Sequence, residues 1–93
     1  MNNININKIR KKLDKVDTKL LKVIKERFLL VNQILKFKKK RKDVIDQERI
    51  NFILKRIKKY SKKFKVDPSI TVNIWKAMIK SFIAYEHKKF KKK

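Results

Sequence analysis

The chain has 93 residues, with 30 Lys or Arg against 8 Asp or Glu for a formal net charge of +22, and it contains no Gly, no Cys and one His. These counts exclude disulfides, thiolate metal sites and Gly-rich phosphate loops, and a lone His argues against a histidine metal cluster. The length allows one domain, spanning 1–93, whose core is small enough that association often completes it.

A basic surplus of this size ordinarily points to nucleic acid or an anionic membrane. Here the surplus is mostly Lys, and Ile and Asn are also abundant. All three have AT-rich codons, whereas the missing Gly has GC-rich ones, so base composition is an alternative source of that charge. The lysines are spread along the chain. KKKRK at 38–42 and the C-terminal KKK are the local clusters, read as a solvated loop and a solvated tail. No apolar run approaches the roughly 20 residues that cross a bilayer. The start, MNNININKIRKK, lacks the apolar centre of a signal peptide, so a cytoplasmic protein is expected.

Residues 1–6 read as a polar, frayed start, with Asn5 or Asn7 as the cap of a first helix running to about residue 39. Ile9, Leu13, Val16, Leu20, Ile24, Val31 and Ile34 recur at steps of three and four, which places them on one helical face. About 30 residues at 1.5 Å each give a rod on the order of 45 Å, longer than a compact domain of this size is wide. The economical solution is a homodimer in which two such helices cover each other. Residues 39–45, KKRKDVI, read as a connection, and Asp43 or Asp46 can cap a second helix with Glu48 near its first turn. That helix carries Ile50, Ile53, Leu54, Ile57, Tyr60 and Phe64. Val66-Asp67-Pro68 marks the next boundary, with Asp67 as cap and Pro68 in the first helical position. The third helix carries Ile70, Ile74, Trp75, Met78, Ile79, Phe82, Ile83 and Phe90. The expected fold is all-α, three helices per chain, one long and two shorter.

Three charged residues stand on apolar faces. Arg27 and Lys38 continue the stripe of the first helix, and Glu86 lies four residues past Phe82 on the third. An uncompensated buried charge costs several kcal/mol or more, so each needs a partner. Ion pairing within the chain is the plain explanation: Arg27 with Glu26 or Glu48, and Glu86 with a nearby Lys. Together, several cations and one carboxyl in an apolar pocket also suit a small dianionic organic acid, with a protonated carboxyl donating to a ligand oxygen. Eleven residues separate Arg27 from Lys38, about 20° around a helix and roughly 16 Å along it. Arg10 is turned about 100° from Arg27 on the same helix, so it reaches such a site only across a dimer. His87 reads as exposed, Trp75 and the Phe residues as core, and Asp14 and Asp17 as solvent-facing acids.

In that order these residues resemble the all-helical chorismate mutase family. The matching segments are IRKKLDKVDTKLLKVIKERF at 9–28, KFK at 36–38, DQER at 46–49 and MIKSFIAYE at 78–86. The first is the most specific, with Arg10, Asp17 seven residues on, and the pair Glu26-Arg27. The resemblance implies an intertwined homodimer with two equivalent sites and an isomerase that needs no metal or cofactor, placed in aromatic amino-acid biosynthesis. By position, it implies that Arg10 visits the partner's site and binds one substrate carboxylate, and that Arg27 binds the other. Lys38 would contact a carboxylate and the ether oxygen, Glu48 would accept from the ring hydroxyl, and Glu86 would lie against the ether oxygen.

The pattern has departures. Gln47 stands where many members carry Arg, Phe82 where several are polar, and the stretch from Lys38 to Glu48 is short. The last two features are closer to the isochorismate-pyruvate lyase branch of the same fold, which yields salicylate and pyruvate. A basic helical module binding nucleic acid through its lysines is the alternative from another class.

Overall fold

A computed structural model describes residues 3–91. It is all-α: α1 at Asn3–Leu35, a single 3-10 turn at Arg41–Val44, α2 at Gln47–Lys63 and α3 at Pro68–Lys91. The chain divides into two compact units, residues 1–36 and residues 37–93. Among the described residues no helix is long and apolar enough to cross a membrane.

The first unit is α1, 33 residues or about 50 Å of helix. It begins at Asn3, so Asn5 and Asn7 lie inside it rather than capping it. Asn and Ile cost only a few tenths of a kcal/mol within a helix, and extending an existing helix is far easier than starting one. At the other end α1 stops at Leu35, about four residues before the expected boundary. Six cations crowd positions 36–42, and like charges three and four apart oppose helix there. Ile9, Leu13, Val16, Leu20 and Ile34 are exposed, whereas Ile24, Arg27, Phe28 and Val31 are half-buried and Leu35 is buried. The covered stripe therefore ends on Leu35, not on Ile34 and Lys38.

The second unit holds the other three elements. Residues 39–45, expected as an unstructured connection, contain the 3-10 turn. Asp43 closes that turn instead of capping α2: Lys40 N–H donates to Asp43 Oδ2 at 3.0 Å, and Asp43 N–H donates to the Lys40 carbonyl at 2.9 Å. Asp46 is the cap of α2, accepting from Arg49 N–H at 3.0 Å. Glu48 in the first turn and Lys62 and Lys63 in the last complement the helix dipole. The exit from α2 is a Schellman closure. Val66 N–H donates to the Ser61 carbonyl at 2.9 Å and Lys65 N–H to that of Lys62 at 3.2 Å. Lys65 takes the left-handed conformation, φ 60°, that glycine usually occupies here; the chain has no glycine to supply.

Asp67 then caps α3, accepting from Ser69 N–H at 2.9 Å, with Pro68 first in the helix as expected. Hydrogen bonds from Ser69 hold the Asp67 carboxyl below the usual carboxylate range. α2 and α3 pack against each other, and the 3-10 turn packs against α3. Ile50, Ile53, Leu54, Ile57 and Tyr60 are half-buried on α2, with Ser61 buried. The Ser61 hydroxyl donates to the Ile57 carbonyl at 2.6 Å and shares a hydrogen bond with Thr71 Oγ1 of α3, which satisfies a buried polar group between the helices. On α3 the covered line runs through Thr71, Trp75, Met78, Ile79, Phe82, Ile83 and Phe90.

Several apolar residues expected inside are not. Ile70 and Ile74 are exposed, because the covered face of α3 is rotated toward Thr71 and Val72. Phe64 falls one residue beyond α2, in the cap, and is exposed; Phe37 and Phe52 are exposed as well. Part of the loss is offset by stacking. The Arg49 guanidinium lies 5.2 Å from the Phe52 ring centre and that of Arg56 lies 5.0 Å from Tyr60, contacts worth about 0.5–1 kcal/mol each at exposed sites.

Candidate active site

The second unit draws one cation and one carboxylate together from distant parts of the chain. Lys38 lies in the connection after α1, and Glu86 lies in the last third of α3. Lys38 Nζ donates to Glu86 Oε1 at 2.9 Å and to the Val44 carbonyl at 3.3 Å. The Lys38 side chain is 19% exposed and that of Glu86 8%. Burial at that level would cost an isolated carboxylate several kcal/mol, and the ammonium offsets it. Glu86 is thus placed as its position on an apolar stripe predicts. Lys38 is not. It is off the helix, so the expected 20° relation to Arg27 does not apply to it; its inward direction comes from Val44 and Glu86.

An ammonium has three donors. Two point at Val44 and Glu86, which leaves one for a ligand oxygen. The same unit holds Gln47 and Glu48 in the first turn of α2, both exposed. The Gln47 amide donates to Asn51 Oδ1 at 3.0 Å, so Gln47 is tied along its own helix. In the first unit, Arg27 is half-buried on the covered stripe of α1 and Arg10 is exposed. The two arginines lie 17 residues apart on α1, which corresponds to about 100° around the helix axis.

Val44 was not legible as a partner of Lys38. It is 3% exposed, among the most buried apolar residues described. The available signal was an apolar pair, Val44-Ile45, inside an otherwise charged connection. His87, expected in solvent, is half-buried beside Glu86 on α3; Asp14 and Asp17 are exposed, as expected. Among the described residues no group of three His, Asp or Glu side chains could hold a metal ion.

A family model described as chorismate mutase type II matches residues 9–87. The chain belongs to that family. The matched span contains Arg10, Arg27, Lys38, Gln47, Glu48 and Glu86. A protein named chorismate mutase from Methanocaldococcus jannaschii is 39% identical to the chain over 72 residues, which covers 76% of this chain and 73% of that protein. No solved structure matches. Family membership agrees with the all-α fold, and neither match names a lyase.

Proposed function

We infer that the chain is a chorismate mutase, an isomerase that rearranges chorismate to prephenate. The observation that carries this is membership of the family across residues 9–87, nearly the whole chain. The geometry of Lys38 and Glu86 supports it, since the reaction needs donors at the charge that develops as the C–O bond breaks. In the rearrangement a C–O bond breaks as a C–C bond forms, with no covalent intermediate on the protein. The enolpyruvyl arm must fold over the ring, and paired cations on the two carboxylates hold it there. Negative charge then grows on the ether oxygen, where preorganised donors in a water-poor site lower the barrier.

In this reading Arg27 binds one carboxylate and Arg10 of a second copy binds the other. Lys38 directs its remaining donor at a carboxylate and the ether oxygen, Glu86 donates to the ether oxygen when protonated, and Glu48 accepts from the ring hydroxyl. The dimer rests on α1: Ile9, Leu13, Val16 and Leu20 are each more than half exposed in one chain. A long apolar stripe of that kind asks for a partner surface, and a second α1 supplies one of the same length. A cytoplasmic setting is part of the same proposal, since a chain without cysteine gains nothing from an oxidising compartment.

Purified protein offered chorismate and isochorismate separately tests the reading. Prephenate from chorismate is the expected product. Salicylate and pyruvate from isochorismate, with little prephenate, would move the chain to the lyase branch. Consumption of neither would remove the enzymatic reading.

A further inference from the structure

We propose that the Arg41–Val44 turn is the positioning element for Lys38, with Asp43 as the residue that closes it and Val44 as its anchor. The inference rests on the mutase reading only for its kinetic consequence. Lys38 sits in a connection, where a lysine has four rotatable side-chain bonds and no helix to aim it. Yet its ammonium has two fixed acceptors, Glu86 Oε1 at 2.9 Å and the Val44 carbonyl at 3.3 Å.

Both acceptors are tied to α3. Glu86 belongs to that helix, and the turn that presents the Val44 carbonyl packs against it. The Val44 side chain is 3% exposed, so it pins the turn through burial. Closure depends on Asp43. Its Oδ2 accepts from Lys40 N–H at 3.0 Å while its own N–H donates to the Lys40 carbonyl at 2.9 Å. That ring of two hydrogen bonds spans 40–43, begins two residues after Lys38 and ends one before Val44. Without it the Val44 carbonyl and the backbone of Lys38 lose their common frame. The third donor of Lys38 would then no longer be held toward one point.

The ammonium itself gives a readout independent of turnover. Held by two acceptors at 19% side-chain exposure, its protons exchange slowly enough to yield a proton–nitrogen NMR signal, which a freely solvated lysine does not give at neutral pH. Asp43→Ala should abolish that signal and lower kcat/KM on chorismate about tenfold, because small misplacements of a catalytic group cost that much or more. Asp43→Asn keeps an oxygen acceptor for Lys40 N–H and should restore both to within about twofold of the parent. Val44→Ala, which trims the anchor, should weaken both in the same direction. Far-UV circular dichroism checks that helix content is retained.

An Asp43→Ala variant with the parent's ammonium signal and turnover would overturn the proposal. So would an Asp43→Asn variant as impaired as Asp43→Ala, since the effect would then belong to the carboxylate charge and not to closure of the turn. If the parent itself left chorismate unchanged, the mutase reading would fall, and the ammonium signal would still decide whether the turn places Lys38.

Discussion

Lys38 Nζ lies 2.9 Å from Glu86 Oε1 although 48 positions separate the two residues in the chain. Lys38 has a second acceptor, nearer in the chain, in the Val44 carbonyl, six residues on. A cation from a basic connection and a carboxyl from an apolar helix face satisfy each other. Removing one half of a pair this buried costs more than the pair contributes, because the other half stays behind without its partner.

Glu86→Gln is therefore the informative substitution. The amide oxygen can still accept from Lys38, and the amide nitrogen donates at every pH. A carboxyl donates to the ether oxygen only while protonated. Turnover of Glu86→Gln is expected to equal or exceed that of the parent, since the amide offers a donor beside Lys38 without needing a proton. A large loss of kcat in Glu86→Gln, with substrate binding retained, would show that Glu86 does not donate.

The arginines predict a mixing experiment. Arg10→Ala and Arg27→Ala should each lose turnover while remaining dimeric by sedimentation. Mixed through a denaturing step and refolded together, they form hybrid dimers in which one of the two sites draws intact Arg10 and Arg27 from different chains. Statistical assortment then restores about one quarter of the parent activity. No recovery would mean that Arg10 and Arg27 do not serve one site from two chains.

At Lys65 the prediction concerns stability. A side chain at φ 60° costs about 1 kcal/mol or slightly more, a cost glycine escapes. Lys65→Gly is expected to raise the thermal midpoint by roughly 4 °C, less whatever glycine adds to the entropy of the unfolded chain. A lower midpoint in calorimetry would mean that the closure at the end of α2 is not strained.

Asp67 sets the sign of an acid effect. Its carboxyl is held below the usual 3.8 by Ser69, so the unfolded chain binds its proton first. The contribution of the cap is complete above that usual value and is lost as pH falls through the lowered one. Asp67→Ala should be less stable than the parent at neutral pH, and the gap in denaturation midpoints should close on acidification. A gap independent of pH would remove the charge from the account.

What the sequence disclosed follows from how local each determinant is. Asp67-Pro68 marked a helix start because a cap and a proline act within three residues. The α-helical class followed from a chain without glycine whose apolar residues keep steps of three and four. Glu86 stood out because a carboxyl interrupted such a stripe. Lys38 was singled out for a different reason than the one that holds. The apolar spacing extends to Lys38, but the helix ends at Leu35, and the direction of Lys38 is set by Val44 and by a residue 48 positions away. Ile34 and Ile70 were misplaced because periodicity fixes the spacing of a stripe and not which of its two flanks is covered. Asp43 and Asp46 were equal as caps on paper; the turn at Arg41–Val44 uses one and α2 the other.

The bare face of α1 carries an electrostatic corollary. Between Asn3 and Leu35 nine Lys or Arg accompany three Asp or Glu, so two such helices laid side by side repel across their flanks while their apolar faces attract. Dissolved ions screen that repulsion beyond about 8 Å at physiological strength, and they leave the burial of Leu13 or Leu20 untouched. Self-association should therefore tighten as salt is added, the reverse of what ionic strength does to a lysine-rich protein holding a polyanion. The ionic medium, as much as concentration, would then govern how many paired molecules exist.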